Sequence, residues 1–367
     1  MKTFIRTIIA LFAICTFASC ANDDLTTEIT TEKEEVSINL IVSLGQEQTT
    51  RAAVSDAEDA VGNEYNINID AKDIQLLLYK GDGSYFTKAT VTTIRKVESE
   101  HNKYIIEGKF FSFSKDDLKK SYKLVVTANT STGNCKLTTT WQTRGNETDD
   151  YKTLRYDYSN GETFTRNIIN SANEGIIPMW GNKAIILDDG GRYEVKLLRA
   201  MAKVTVCLEK DLTNVDIESV KLTNCKNAGM LTPKRASTFS ETQDITSENN
   251  GTEELNVPND AEFTNTEMQF IPYEKNGYKY YCLYIPEQEA GKDSKILVTI
   301  NGKEYTLYFA NYGSNNDSSN PGDLYPVLRN NWYNFVIKSV STDAVDLNLK
   351  YYVADWNEKT ATDITFD

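Results

Sequence analysis

The chain has 367 residues, with 39 Lys+Arg against 53 Asp+Glu, a net charge of −14, a single histidine and 40% hydrophobic residues. A net negative surface repels phosphate backbones, which argues against a nucleic-acid partner. The only imidazole, His101, lies in the polar run Glu98-Ser-Glu-His-Asn-Lys103, so His-based triads and His-rich metal sites lose their commonest component. The length suits about two domains of about 150 residues, each able to bury a core. Tyr (21) outnumbers Phe (14), and Thr and Asn are plentiful, which favours β-structure joined by polar loops.

Lys2 and Arg6 precede the apolar stretch from Thr7 to Phe17, which suits the core of an export signal and is too short to span a bilayer. No later segment is apolar for long enough to span one. The stretch ends in Phe17-Ala-Ser-Cys20, which resembles the lipobox of bacterial lipoproteins, where the cysteine is lipidated and becomes the new N-terminus. Residues 1–19 therefore read as a lipoprotein signal peptide and Cys20 as the lipidated residue. The alternative is ordinary signal-peptide cleavage beside an incidental Cys20. The acidic tether Ala21-Asn-Asp-Asp24 resembles the surface-export signal of Bacteroidetes lipoproteins. Of the later cysteines, 135, 207, 225 and 282, no two form a Cys-x-x-Cys pair, so neither a zinc ribbon nor a thioredoxin-like site is indicated. Buried free thiols fit their strand-like surroundings; one or two disulfides remain open in an exported chain.

Nearly every patterned segment has period two. Val36-Ser-Ile-Asn-Leu-Ile-Val-Ser-Leu44 alternates as a half-buried strand and is followed by a polar segment to about Asn66. Ile74 to Tyr79 and Tyr85 to Thr92 flank Gly81-Asp-Gly-Ser84, a hairpin signal. Further strands are predicted at 104–110, 122–128, 135–141, 193–198, 202–208 and 217–222, with one short helix near Asp149 to Tyr156. The polar loop from Thr232 to about Asp260 is expected on the surface, and strands resume at 278–285, 295–300, 304–310 and 332–338. Short strands at regular spacing, without sustained helical periodicity, indicate an all-β chain of two tandem β-sandwich domains. The junction is placed near Asp188-Asp-Gly-Gly191, dividing residues 52–189 from 190–367.

Two segments share a property. Val36, Ile38, Leu40, Val42 and Leu44 form a comb of alternating apolar positions, and Val345, Leu347, Leu349, Tyr351 and Val353 repeat it near the C-terminus. Because side chains alternate faces along a strand, either comb fits the same groove. Between them, Arg51 is the only arginine from Arg6 to Arg95; it follows Gln46-Glu-Gln-Thr-Thr50 and precedes Ala52-Ala53, a setting suited to an arginine-specific protease. Cleavage between Arg51 and Ala52 would remove residues 20–51, taking both the lipid anchor and the first comb. A sandwich that loses such an edge strand has unpaired backbone groups beside an apolar groove.

Glu174-Gly-Ile-Ile-Pro-Met-Trp-Gly181, Leu197-Leu-Arg-Ala-Met-Ala-Lys-Val204, Tyr284-Ile-Pro-Glu287, Leu328-Arg-Asn-Asn-Trp-Tyr333 and Val353-Ala-Asp-Trp356 occur in that order. In this sequence they resemble landmarks of the Bacteroidetes fimbrillins, the FimA/Mfa-like major and minor fimbrial subunits or type V pilins. The resemblance implies transthyretin-like sandwiches; read residue by residue, Met179 and Trp180 are expected to be core packing and Arg199 and Lys203 a structural polar pair. It also implies an exported outer-membrane lipoprotein, cut after Arg51, whose vacated groove takes a C-terminal strand from the next subunit. That donor would be the comb at 345–353 or the trailing strand Thr360 to Phe366. The implied partners are other copies and other fimbrial subunits, the outer membrane through the lipid before processing, the protease and a host surface ligand. The implied location is the outer membrane and then the extracellular fimbrium. A lipid-anchored or tip adhesin for host glycan or protein is the alternative. No enzymatic activity, cofactor or metal is expected, since acidic pairs such as Asp188-Asp189 and Asp149-Asp150 fall in turns and no P-loop, nucleophile elbow or metal-ligand spacing occurs.

Overall fold

The computed structural model describes residues 34–44, 62–98, 103–130, 154–158, 160–170, 176–234, 254–264, 266–275, 277–312, 318, 321–340 and 347–355. In chain order the first elements are β1 (Glu34–Leu44), β2 (Ile74–Tyr79), β3 (Tyr85–Lys88), β4 (Thr90–Lys96), β5 (Lys103–Phe113) and β6 (Ser121–Ala128). β7 (Arg155–Asp157), helix α1 (Gly161–Ile169), β8 (Met179–Ile186) and β9 (Gly191–Arg199) follow. Apart from β7, these strands join in the order β3-β2-β6-β8-β9-β1-β5-β4. β3 and β4 are separated by Ala89 alone and lie at opposite ends of that order, so the chain bends there from one half of the sheet to the other. β8 and β9 form the second corner, pairing only at Met179↔Arg199 and Trp180↔Leu198. The two halves face each other: a Cβ on Gly108 of β5 would stand 3.0 Å from Leu76 Cδ1 of β2.

The second group comprises β10 (Ala202–Leu208), β11 (Ile217–Thr223), β12 (Ala228–Met230), β13 (Met268–Gln269), β14 (Ile271–Lys275), β15 (Tyr278–Ile285), β16 (Lys295–Ile300), β17 (Lys303–Tyr308), β18 (Asn331–Val340) and β19 (Leu347–Asp355). A five-stranded sheet β14-β15-β10-β18-β19 faces a four-stranded sheet β13-β11-β16-β17, and β12 pairs with β7. The Tyr281 hydroxyl of β15 donates to the Ile217 carbonyl of β11 at 2.5 Å, across the space between the two sheets. In both groups the first strand is interior, between one antiparallel and one parallel neighbour: β1 between β5 and β9, β10 between β15 and β18. The buried apolar residues of both groups form one continuous core.

The all-β architecture is as the periodicity predicts, with local differences. The chain passes between the two groups at Ala200-Met201, because β9 still pairs in the first sheet. A helix, α1, lies at Gly161–Ile169, and Arg155–Asp157, at the end of the segment predicted as helical, is a strand; residues 149–153 lie outside the described residues. Asn160 caps α1 by accepting from the Thr163 amide, and Phe164 and Ile168, four residues apart, put their side chains on one buried face. β8 is a strand the pattern does not announce, since Gly181-Asn182-Lys183 interrupts it, yet its first four residues are buried. The segment 135–141, the trailing strand 360–366 and His101 lie outside the described residues.

Candidate functional site

The comb Val36, Ile38, Leu40, Val42 and Leu44 is buried to 1% exposure or less at every position, while Ile41 on the opposite face is 44% exposed. β1 pairs with β5 from Glu34↔Phe113 to Ser43↔Lys103, and with β9 from Ile38↔Gly191 to Leu44↔Leu197. Ser37 adds a clasp at the β8-to-β9 turn: its amide donates to Asp189 Oδ1 at 2.9 Å and its carbonyl accepts from the Gly190 amide at 2.8 Å. Asp189 thus ties down β1. The expectation that β1 is an edge strand is corrected: it lies between β9 and β5, so its removal would open a slot with unpaired backbone on both walls.

Among the residues of the second comb, Leu347, Leu349, Tyr351 and Val353 lie on β19 at the edge of the five-stranded sheet. They stand opposite Val340, Ile337, Phe335 and Tyr333 of β18, and Leu347 is fully buried. The two combs therefore occupy different sheets of the same chain. Cys20, Arg51, Ala52 and Val345 lie outside the described residues.

The polar segment after the first comb contains a residue that sequence reasoning missed. Glu64, in the 3-10 turn Gly62–Tyr65, is fully buried. Lys203 Nζ of β10 lies 3.0 Å from Glu64 Oε1, and Arg199 Nε of β9 donates to the Glu64 carbonyl at 3.0 Å. The Tyr284 hydroxyl of β15 donates to the same Oε1. Burial, helped by the adjacent Glu64 charge, pushes the Tyr284 phenol well above its ordinary value and keeps it a donor. Arg199 and Lys203, expected as a structural polar pair, thus converge on Glu64. Arg199 also lies 4.9 Å from the Tyr65 ring centre, and Lys203 5.3 Å from that of Trp332.

Around this junction the Tyr156 hydroxyl donates to the Ala200 carbonyl at 2.8 Å, Tyr158 to the Tyr284 carbonyl, and Arg199 N to Asn330 Oδ1 at 3.2 Å. Met179 and Trp180 are fully buried in the core. Cys207, Cys225 and Cys282 are buried free thiols, and burial pushes the Cys225 thiol far up, which keeps it unreactive. Among the described residues no cluster of His, Cys, Asp or Glu could hold a metal ion, and no helix is long and apolar enough to cross a membrane.

These sheets, tied together by buried ion pairs, define an all-β protein. The chain belongs to the family of fimbrillin-A associated anchor proteins Mfa1 and Mfa2, which matches residues 25–362. Membership associates it with cell-surface fimbriae and with other fimbrial subunits. Its fold is similar to that of the C-terminally truncated tip fimbrial protein Mfa3 from Porphyromonas gingivalis, at 13% identity and TM-score 0.50, covering 88% of this chain and all of that one. A fimbrial assembly protein from Parabacteroides distasonis aligns at 11% identity and TM-score 0.45 over 90% of this chain and 98% of that one. A cell adhesion protein described as putative, from Bacteroides uniformis, aligns at 11% identity and TM-score 0.45, covering 88% and 98%. No curated protein matches the chain.

Proposed function

We propose that the chain is a subunit of a surface fimbria, exported as a lipoprotein through Cys20, cut between Arg51 and Ala52, and polymerised when a neighbouring subunit's strand replaces β1. The observation that carries this reading is the placement of β1: an interior strand whose whole apolar comb is buried, with Arg51 seven residues beyond its end. Only a strand with the same alternation refills such a slot, because backbone bonds to two walls supply affinity and the comb sets register. The C-terminal comb at Val345, Leu347, Leu349, Tyr351 and Val353 is the donor of matching pattern, and the subunit supports adhesion and colonisation.

A second reading rests on the same strand. Left uncut, β1 completes the first sheet and Cys20 holds the molecule to the outer membrane, as an anchor or as a binding protein for host glycan or protein. The family's description as anchor proteins favours that role for an unprocessed chain. The test is treatment of the purified precursor with an arginine-specific protease. A chain beginning at Ala52, loss of the fragment bearing β1 and an SDS-resistant ladder in unboiled samples are expected. Resistance at Arg51, or monomer alone after complete cutting, selects the anchored reading.

A further inference from the structure

The release of β1 removes the longer of the two ladders on β9. The parallel ladder from Ile38↔Gly191 to Leu44↔Leu197 goes with it, as do the Ser37 bonds to Asp189 and Gly190. On its other side β9 pairs with β8 at two positions only, both at its C-terminal end. The N-terminal half of β9, which forms one wall of the slot, then has no ladder partner and depends for its position on the β8-to-β9 turn and on side-chain contacts.

Tyr193 is placed to supply such a contact. Its hydroxyl donates to the Ile186 carbonyl at the end of β8 across 2.6 Å. The ring folds back over Gly191, where any Cβ would collide with it. Near the middle of β9 the two strands approach closely again: a Cβ on Gly181 of β8 would lie 2.5 Å from the Lys196 carbonyl oxygen. None of these contacts involves β1. We propose that Tyr193 is a positioning residue that keeps β9 docked on β8 while the slot is empty, so that the incoming strand meets a preformed parallel wall. This rests on the strand-exchange reading above. The brace is redundant while β1 is seated and decisive once it has left.

Arg192, exposed and next to Tyr193, lets the processing protease report on β9. Cleavage after Arg192 requires local unfolding of the strand, and its rate follows the population of the open form. The experiment compares full-length wild type and Tyr193→Phe, each treated with an arginine-specific protease and followed by intact-mass measurement. Before the Arg51 cut, Arg192 is expected to be equally resistant in both. After the fragment bearing β1 has left, the variant is expected to be cut after Arg192 roughly 3- to 10-fold faster than wild type, the effect of losing one hydrogen bond from a closed state. Equal rates after release overturn the brace and leave strand exchange intact. Retention of the cut fragment overturns both, and the mass spectrum identifies that case directly.

Discussion

Arg329 Nη2 donates to Glu287 Oε2 across 2.5 Å, with both side chains 1% exposed. The two residues come from separate sequence landmarks and together hold the ends of the long polar loop. Arg329 donates to the Leu231 and Met230 carbonyls at 2.6 and 3.0 Å, and Glu287 Oε2 accepts from the Asn256 amide at 3.3 Å. Removing one partner strands a buried charge, so Glu287→Gln or Arg329→Met should each cost about 3–5 kcal/mol. Urea unfolding of the full chain measures this, and Glu287→Gln with Arg329→Met together should cost clearly less than the sum.

Glu64 joins three elements that are distant in sequence, so its substitution should be strongly non-additive. Glu64→Gln is expected to destabilise by about 3–5 kcal/mol, as breaking a buried pair does. Lys203→Met in that background should then add little, because its partner is already gone. A double-mutant cycle by denaturant unfolding checks the coupling. A sum equal to the two single costs would remove Glu64 from the role of hub.

The combs, the hairpin turn and the landmarks holding Arg199, Lys203, Glu287 and Arg329 were legible because they are local patterns. What those residues touch was not. Glu64 reads as one more acid in a polar run, and its burial follows from partners 139 and 220 positions away. Burial of both faces over its first four residues helps to conceal β8 for a different reason, since a stretch covered on both sides has no need to alternate. The interior position of β1 was equally hidden, because alternation reports which face is buried and is silent on how many neighbours flank the strand.

Acid should loosen the turn after β5. Burial pushes the Asp117 carboxyl up, but hydrogen bonds from the Ser114 hydroxyl and amide, with Lys120 beside it, outweigh this and hold it below its ordinary value of 3.8. A carboxylate whose folded value is depressed stabilises above its unfolded value, and that stability is lost as pH falls through the folded one. Asp117→Asn should therefore lower the melting temperature at neutral pH, and the gap from wild type should close below about pH 3.8. A gap that persists in acid would assign the effect to the capping hydrogen bonds alone.

The two combs should respond oppositely to processing. Leu40→Ala removes a fully buried side chain from β1 and is expected to destabilise the uncut chain by about 2–5 kcal/mol. Once the fragment ending at Arg51 has left, the same substitution should have no effect on the assembled ladder. Leu347→Asp acts on β19, where Leu347 is buried in its own subunit, so it should lower the stability of the uncut monomer as well as abolish the ladder. Leu349→Asp tests the neighbouring position of the same comb. Thermal unfolding before cutting and unboiled SDS gels after it separate these effects. A ladder weakened by Leu40→Ala after complete processing would mean that β1 stays in the assembled form and that the slot is never refilled.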